Sequence, residues 1–204
     1  MSKLFGLALV PDENSCDTLI DFQNKLVPES FYGIKLGKES NLPHVSILQC
    51  PFFEEPLTVE KLSSLKEVLG KINQNDILGR ADGLKYQPSY WAFMNFTFGD
   101  YIYEFQEEAL VLLERFIDKS SIAKKDFTGY SFNQKKYYLK YGYRYLFDEF
   151  QPHVTVGRTY EEEIPSLVFE EFDCHLKNQI IKFDRLAFYE AGEHGSFKRA
   201  LEIL

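Results

Sequence analysis

The sequence is poor in cysteine, and its few cysteines form no pattern. Cys16, Cys50 and Cys174 are far apart, odd in number and outside any CxxC pair. Disulfide frameworks and zinc ribbons need paired or regularly spaced cysteines, so neither is supported. Cys174 adjoins His175 in a segment that we read as a strand, where neighbouring side chains point to opposite faces. We therefore expect no metal, no cofactor and reduced thiols in a cytoplasmic protein.

Long apolar runs are also absent. No run approaches the about 18 apolar residues of a membrane span, so we expect no contact with a membrane. The opening MSKLFGLALVPDENS has one lysine and a short apolar run, which predicts a first strand better than a secretory signal. The 45% of hydrophobic and 16% of aromatic residues among 204 are ample for one domain, or for two small lobes that share a core.

Basic residues are outnumbered by acidic ones, and the formal net charge is −8. This balance argues against a protein that coats nucleic acid, and we expect no binding of long duplexes. The segment 119–145 is an exception, with seven basic residues and one acidic residue. A basic island on an acidic protein attracts anions to one place. The acidic runs at 161–163 and 170–171 are predicted to be solvated faces that would repel a long RNA.

Helical and strand patterns alternate along the chain. Strands are predicted in KLFGLALV, HVSIL, the two runs around the QPS turn at 87–89, HVTVG and the closing pair QIIKFDRLAFYE and FKRALEIL. Helices are predicted near 16–26, at 57–72 and in YIYEFQEEALVLLERFID, while EEEIPSLVFEEF stays ambiguous. Short, hairpin-like connections favour an α+β fold over a parallel doubly wound sheet. The strand–helix–strand order occurs twice, which predicts two similar lobes that face each other.

The segment from about 120 to 150 is an insertion rich in bases and aromatic residues. KKYYLKYGYRYLF alternates, which predicts a strand with Lys136, Tyr138, Lys140 and Arg144 on one face. Such a face binds nucleotides through stacking and phosphate contacts, and an edge strand protected by lysines is the equally weighted alternative. Trp91 is a further candidate to stack on a base, although a single tryptophan in a strand is more often part of a core.

One four-residue pattern occurs in both halves: Pro-His-Val-Ser ends at Ser46, and Pro-His-Val-Thr ends at Thr155. On a strand the side chains at i and i+2 point the same way, roughly 6–7 Å apart. Each motif would therefore present one imidazole and one hydroxyl on an open face. Its apolar residues would anchor the opposite face in a core (Val45, Ile47, Val154 and Val156).

Two such strands across a cleft are suited to phosphoester cleavage without a metal. One of His44 and His153 can take a proton while the other protonates the leaving oxygen. Ser46 and Thr155 can hold phosphate oxygens where negative charge accumulates. A lone strand histidine is more often structural. Two copies of one motif in a chain with four histidines are harder to explain in that way.

The sequence resembles the two-histidine phosphoesterases, a superfamily that includes 2'-5' RNA ligase-like cyclic phosphodiesterases. Their two H-x-[ST]-hydrophobic motifs are matched at 44–47 and 153–156, and LALVPDE and IIKFDRLAFYE are similar to their first and penultimate strands. A basic residue often follows the second hydroxyl by three positions, and Arg158 is there. The resemblance implies one bilobal domain over 1–204 with a pseudo-twofold cleft. It also implies metal-independent cleavage of 2',3'-cyclic or related phosphodiesters.

The resulting prediction is a monomeric phosphodiesterase with His44, Ser46, His153 and Thr155 as the catalytic set. Its partner would be a small nucleotide or a short RNA end, in 2',3'-cyclic or 2'-5'-linked form. Arg158 is a weaker electrostatic candidate. Two alternatives stay open: a non-catalytic module that binds nucleotides or RNA ends on the same fold, and a tyrosine-rich insertion that serves as a protein-interaction surface. Which histidine is the base is left open as well.

Overall fold

A computed structural model describes residues 3–26, 35–53, 67, 77–87, 91–158, 166–192 and 195–203. The strands are β1 (Lys3–Pro11), β2 (Val45–Phe52), β3 (Leu78–Gln87), β4 (Trp91–Thr97), β5 (His153–Arg158), β6 (Ile180–Ala191) and β7 (Phe197–Ile203). The α-helices with described bounds are α1 (Glu13–Leu26), α2 (Tyr101–Leu113), α3 (Phe132–Tyr141) and α4 (Ser166–His175). Within the described ranges, short 3-10 turns lie at Glu114–Phe116, Lys119–Ser121 and Phe147–Glu149.

The strands form one antiparallel sheet in the order β2-β1-β6-β3-β4-β5, with β7 also paired to β6. The long strand β6 joins the two halves, because its first residues pair with β3 and its later residues pair with β1 and β7. The motif strands β2 and β5 lie at the two ends of this path. Their Cα atoms nevertheless approach within 8 Å of each other. The sheet therefore curls until the two motif strands meet, and the predicted α+β fold is confirmed.

The helices pack their apolar sides on this sheet and complete the core. In α2, the predicted stripe is buried at Phe105, Ala109 and Leu113, with Leu112 and Phe116 partly buried against the same cluster. This helix is thus confirmed as predicted, with its last turn in 3-10 form. The main buried cluster takes side chains from both halves of the sheet, so one continuous core supports both motif strands.

The strand prediction for KKYYLKYGYRYLF is wrong, because residues 132–141 form helix α3. Ser131 and Gln134 make a capping box at its start. Gly142 ends it in the left-handed conformation, with φ 78°, and donates its N–H to the Tyr138 carbonyl. These terminal signals overrode the alternation of aromatic and basic residues. A Cβ at position 142 would lie 2.6 Å from Cδ of Pro51, so this turn also packs tightly on β2.

The ambiguous segment around 161–172 contains the start of α4, so Cys174 and His175 lie on a helix rather than on the expected strand. Cys174 is exposed, and the His175 ring lies 3.5 Å from the carboxylate of Glu171. The other predicted strands are confirmed. The helix predicted at 57–72 and the turn at 88–90 lie outside the described residues, apart from Glu67, which is helical. No helix in the described ranges is long and apolar enough to cross a membrane.

Candidate active site

Both motifs lie on a single cleft of about 940 Å³. Its lining includes His44 and Ser46 from the β2 side and His153 and Thr155 from β5. All four residues are half-buried. The structure therefore brings together the four residues that the sequence analysis selected for chemistry.

The apolar residues of each motif anchor it in the core. Val45 and Ile47 are 0% exposed, and Val154 and Val156 are 1% and 2% exposed. Their burial fixes which face of each strand is open, because a slip of one residue would turn them into the cleft. Burial of the apolar residues thus turns the histidine and the hydroxyl of each motif toward the cleft.

Each motif also carries a β-bulge at the same position. On β2 the register with β1 slips by one residue after Ser46, which leaves Ile47 as the extra residue. On β5 the register with β4 slips after Thr155, which leaves Val156 as the extra residue. A bulge bends its strand and re-aims the neighbouring side chains. The apolar residue that follows the hydroxyl, Ile47 or Val156, therefore has the same structural role in both halves.

The two imidazole rings are held in the same way. Nδ1 of His44 lies 2.7 Å from the Leu42 carbonyl oxygen, and Nδ1 of His153 lies 2.7 Å from the Gln151 carbonyl oxygen. A carbonyl oxygen can only accept, so Nδ1 carries the proton in each neutral ring. Nε2 is then the basic nitrogen of both histidines, and each can accept a proton there or carry one when charged.

Aromatic rings enclose both histidines. The His44 ring lies 5.2 Å from the ring of Tyr189 and 5.3 Å from that of Phe197, both edge to face. On the other side, the His153 ring lies 4.3 Å from Phe93 and 5.8 Å from Tyr145. These contacts limit rotation of the imidazoles and keep water from much of their surface. Both effects pre-organise the rings.

Burial lowers the pKa of both histidines. The pKa of His44 falls to about 4, mainly through burial and further through the charge of His153, while its bond to Leu42 acts in the opposite sense. Burial also lowers the pKa of His153, with smaller contributions from the charges of Arg144 and Lys85. Both rings are consequently neutral at pH 7 in the free protein.

A buried phenol supports the first hydroxyl. The Tyr189 hydroxyl lies 3.2 Å from Oγ of Ser46 and accepts a hydrogen bond from the Gln49 side chain at 3.0 Å. Gln49 also donates to the Gly195 carbonyl at 2.8 Å. Burial raises the pKa of Tyr189 to about 12, so its proton stays in place and is available to Ser46. When Tyr189 is the donor in this pair, the hydroxyl proton of Ser46 can point into the cleft.

A buried glutamine caps the bulge of the second motif. Gln23 on α1 is 2% exposed, and its side chain donates to the Val156 carbonyl at 2.5 Å. Its oxygen accepts the backbone N–H of Leu36 at 2.6 Å, in the segment that leads to His44. Gln23 thus connects the approach to the first histidine with the bulge after the second.

A second glutamine makes the reciprocal connection. Gln106 on α2 is 1% exposed, and it donates to the Ile47 carbonyl at 2.8 Å and to the Tyr145 carbonyl at 3.0 Å. Its oxygen accepts the backbone N–H of Phe147 at 2.9 Å, in the segment that leads to His153. The two glutamines therefore cross-link the motifs in a pseudo-symmetric way. The sequence analysis missed both, since buried glutamines carry no local pattern.

Comparisons with known proteins find similarity in structure. No family profile and no curated protein matches the sequence. The crystal structure of E. coli LigT complexed with phosphate matches with a TM-score of 0.50 and 11% identity, covering 100% of this chain and 96% of that one. A crystal structure described as a phosphoesterase matches with 0.52 and 11%, covering 99% and 97%. Kluyveromyces marxianus Usb1 with uridine monophosphate gives 0.42 and 11%, covering 100% and 97%.

The chain has the two-histidine phosphoesterase fold. The similarity extends over the whole chain and confirms, at the level of the fold, the resemblance drawn from the motifs at 44–47 and 153–156.

Three of the other predicted substrate contacts line the cleft of this two-histidine fold: Trp91, Tyr138 and Arg144. Tyr138 reaches the cleft from α3, together with Gln134 and Gly142, since residues four apart share one face of a helix. The helical correction therefore changes which residues of this segment face the cleft.

Lys136 and Lys140 are not part of the cleft lining. The Lys136 amine lies 5.7 Å from the centroid of its neighbour Tyr137, and the Lys140 amine lies 3.6 Å from the Glu114 carboxylate. On a helix both positions project away from the face of Tyr138. Arg158 ends β5 opposite Trp91, and its side chain lies outside the described part of the structure.

The electrostatics of the cleft differ from those of the whole chain. Although the sequence has 31 acidic residues, no aspartate or glutamate among the described residues lines the cleft, whereas Lys3, Lys125 and Arg144 do. The described ranges also contain no group of three or more His, Cys, Asp or Glu side chains that could hold a metal ion. The described lining of the cleft is thus cationic, on a chain whose formal net charge is −8.

Proposed function

We propose that the protein is a phosphodiesterase that cleaves 2',3'-cyclic or 2'-5'-linked phosphodiesters without a metal ion. Its substrate is a small nucleotide or a short RNA end. The observation that supports this most is the matched pair of imidazoles, His44 and His153, which share one cleft and one ring orientation. A cleft lined by cations and by no described carboxylate suits a phosphodiester anion.

In the proposed reaction, Nε2 of one neutral histidine takes a proton from the attacking water. The water oxygen forms a bond to phosphorus, and the bond from phosphorus to the leaving 2' or 3' oxygen breaks. Nε2 of the protonated histidine gives its proton to that oxygen. The two rings have then exchanged their protonation states, and exchange with solvent restores the starting arrangement.

Ser46 and Thr155 act on the phosphate. Each hydroxyl can donate to a non-bridging oxygen, where charge accumulates as water adds. Tyr189 and Gln49 orient the Ser46 hydroxyl for this role. The negative charge of the substrate raises the lowered pKa of the histidines, so that binding favours the singly protonated pair that the reaction needs.

The remaining candidates bind the rest of the substrate. Trp91 offers a ring face to a base, and Arg144 and Arg158 are proposed to contact phosphate. Tyr138 is 5% exposed and has the Lys125 amine 4.9 Å from its ring centroid, so it supports a cation rather than a base. In this proposal residues 1–204 form one bilobal domain that works as a monomer.

The test is hydrolysis of uridine 2',3'-cyclic phosphate and of a 2'-5'-linked oligoadenylate in excess EDTA. The wild type is expected to turn over at least one of them. Thr155→Val is expected to reduce kcat by about 100–1000-fold, in the range measured for loss of one donor to a developing oxyanion. Turnover only after a divalent metal is added would contradict the metal-independent reaction. Tight binding of both substrates without turnover would instead establish a nucleotide-binding module on this fold.

A further inference from the structure

We propose that Lys125, Tyr130, Tyr138 and Arg144 form a binding site for a second phosphate, so that the preferred substrates carry two phosphates. This inference rests on the proposed function, since the first phosphate is the one held between His44 and His153. We call these four residues the basic end of the cleft. All four line the same cavity as the two histidines.

The basic end consists of cations supported on aromatic rings. The Lys125 amine lies 4.9 Å from the centroid of Tyr138. The Arg144 guanidinium lies 4.6 Å from the centroid of Tyr130 and 4.5 Å from that of Tyr145. Ring faces hold a cation in place without neutralising its charge.

The basic end is adjacent to the catalytic centre. Tyr145, which carries Arg144 on its face, packs edge to face on His153 with ring centroids 5.8 Å apart. The charge of Arg144 is also felt at His153, where it contributes to the lowered pKa. An anion bound here would therefore belong to the same substrate as the reacting phosphate.

The two cations also repel each other. The pKa of Lys125 is lowered by burial and then by the charge of Arg144. No described carboxylate lines the cleft beside Lys125, whereas the amine of Lys140, on the far side of α3, lies 3.6 Å from the Glu114 carboxylate. A bound phosphate would relieve the repulsion, because it places negative charge beside both cations.

Hydrogen bonds hold the segment that carries Lys125 in place at the basic end. The Tyr138 hydroxyl donates to the Ala123 carbonyl at 3.0 Å, which ties the segment that carries Lys125 to α3. The side chain of Asp118 accepts from the backbone of Ser120 at 3.1 Å, which fixes the start of the same segment. The cleft volume of about 940 Å³ is near the upper end of small-molecule sites, which run to about 1,000 Å³. There is room for more than one nucleotide unit.

The experiment compares kcat/KM for three substrates with the same reacting end. Uridine 2',3'-cyclic phosphate has one phosphate. Its 5'-phosphorylated form and the dinucleotide UpU 2',3'-cyclic phosphate have two, as a terminal and as an internucleotide group. We expect at least one two-phosphate substrate to be preferred by about tenfold or more, the size of one charge-assisted contact. Which of the two is preferred identifies the source of the phosphate.

Lys125→Ala and the matched control Lys136→Ala separate this site from general charge effects. Lys125→Ala should remove most of the preference, whereas Lys136→Ala, outside the cleft lining, should keep it. Equal kcat/KM for all three substrates in the wild type would overturn the inference and leave the proposed function standing. An equal loss of preference in the two lysine variants would overturn it as well.

A binding measurement keeps the inference separate from turnover. Calorimetry on His44→Ala compares uridine 3',5'-bisphosphate with uridine 3'-monophosphate. We expect the bisphosphate to bind about tenfold more tightly, and this difference to disappear in His44→Ala/Lys125→Ala. If no cyclic substrate is hydrolysed by the wild type, the proposed function fails while this ratio still decides the inference. Equal affinities for the two nucleotides would refute the second-phosphate site.

Discussion

At the scale of single residues, the two histidines are alike in their hydrogen bonds and differ in their surroundings. Each donates from Nδ1 to the carbonyl two residues earlier. His44 lies against Tyr189 and Phe197, whereas His153 lies within range of the charge of Arg144. The motif could be predicted from the sequence because it is local. The surroundings could not, because the rings come from other strands and from the segment before β5.

The lowered pKa of the histidines predicts an acidic optimum for kcat/KM. In the free enzyme, one of the two histidines must be protonated. Because the pKa of both is lowered from the ordinary value of 6.5, this proton dissociates at a pH below 6.5. Profiles of uridine 2',3'-cyclic phosphate hydrolysis from pH 4 to 9 should therefore peak below about 6.5 in kcat/KM. The alkaline limb of kcat should lie at higher pH, because the bound phosphate raises the pKa of the histidine.

Arg144 provides a check on this interpretation. Its positive charge lowers the pKa of His153, so Arg144→Gln should move the alkaline limb of kcat/KM to higher pH. Lys136→Gln, outside the cleft, is the control and should leave the limb in place. A value of kcat/KM that rises steadily from pH 6.5 to 9 would disagree with an essential imidazolium.

At the scale of elements, two bulges and two glutamines position the motif strands relative to each other. Gln106 joins Ile47 to the segment that leads to His153, and Gln23 joins Val156 to the segment that leads to His44. Each motif is thus positioned partly by a helix that also contacts the other half. The glutamines are positioning residues and touch no reacting atom.

Gln23→Leu and Gln106→Leu should each lower the free energy of unfolding by at least about 1–3 kcal/mol, because each leaves at least one buried carbonyl without its donor and one backbone N–H without its acceptor. Urea unfolding measures this. Gln179→Leu, which changes an exposed glutamine, should stay within about 0.5 kcal/mol of wild type.

Both core variants should also lower kcat more than they change KM, since they displace the motifs and leave the binding residues in place. Lost stability with an unchanged kcat would mean that the glutamines support the fold alone.

The sequence predicted the elements best where one periodicity was unopposed. The stripe of α2 and the alternation of the motif strands fall in this class. The prediction from sequence was wrong at α3. Alternating tyrosines there indicated a strand, whereas Ser131, Gln134 and Gly142 form the helix termini. The glutamine contacts could not be predicted, because their partners lie 59 and 133 residues away in the chain.

At the scale of the whole molecule, the charge is divided between an acidic body and a basic cleft. The chain has a net charge of −8, yet the described lining of the cleft has three cations and no carboxylate. The doubled motif predicted two facing halves. The position of the cleft depends on how β6 joins those halves and on the approach of β2 to β5, which no local pattern contains.

Burial of His44 predicts a specific loss of stability in acid. Its pKa is about 4 in the folded protein and about 6.5 in the unfolded chain, so between these values the unfolded state binds more protons. Its contribution is therefore intact above pH 6.5 and is lost as the pH falls toward 4. The difference in unfolding free energy between wild type and His44→Asn should consequently shift against the wild type from pH 7 to pH 5. A difference independent of pH would contradict a buried, neutral His44.

The central claim is that His44 and His153 act as one acid–base pair, and single-turnover hydrolysis in EDTA tests it most directly. The substrate is the one that the wild type prefers. The rates of His44→Ala, His153→Ala and the double variant are compared with the rate of the wild type. Each single change should slow cleavage by about 100-fold or more, and the double variant should be little slower than the slower single one, as for residues that work as a unit. Near-wild-type cleavage by either single variant would contradict the account.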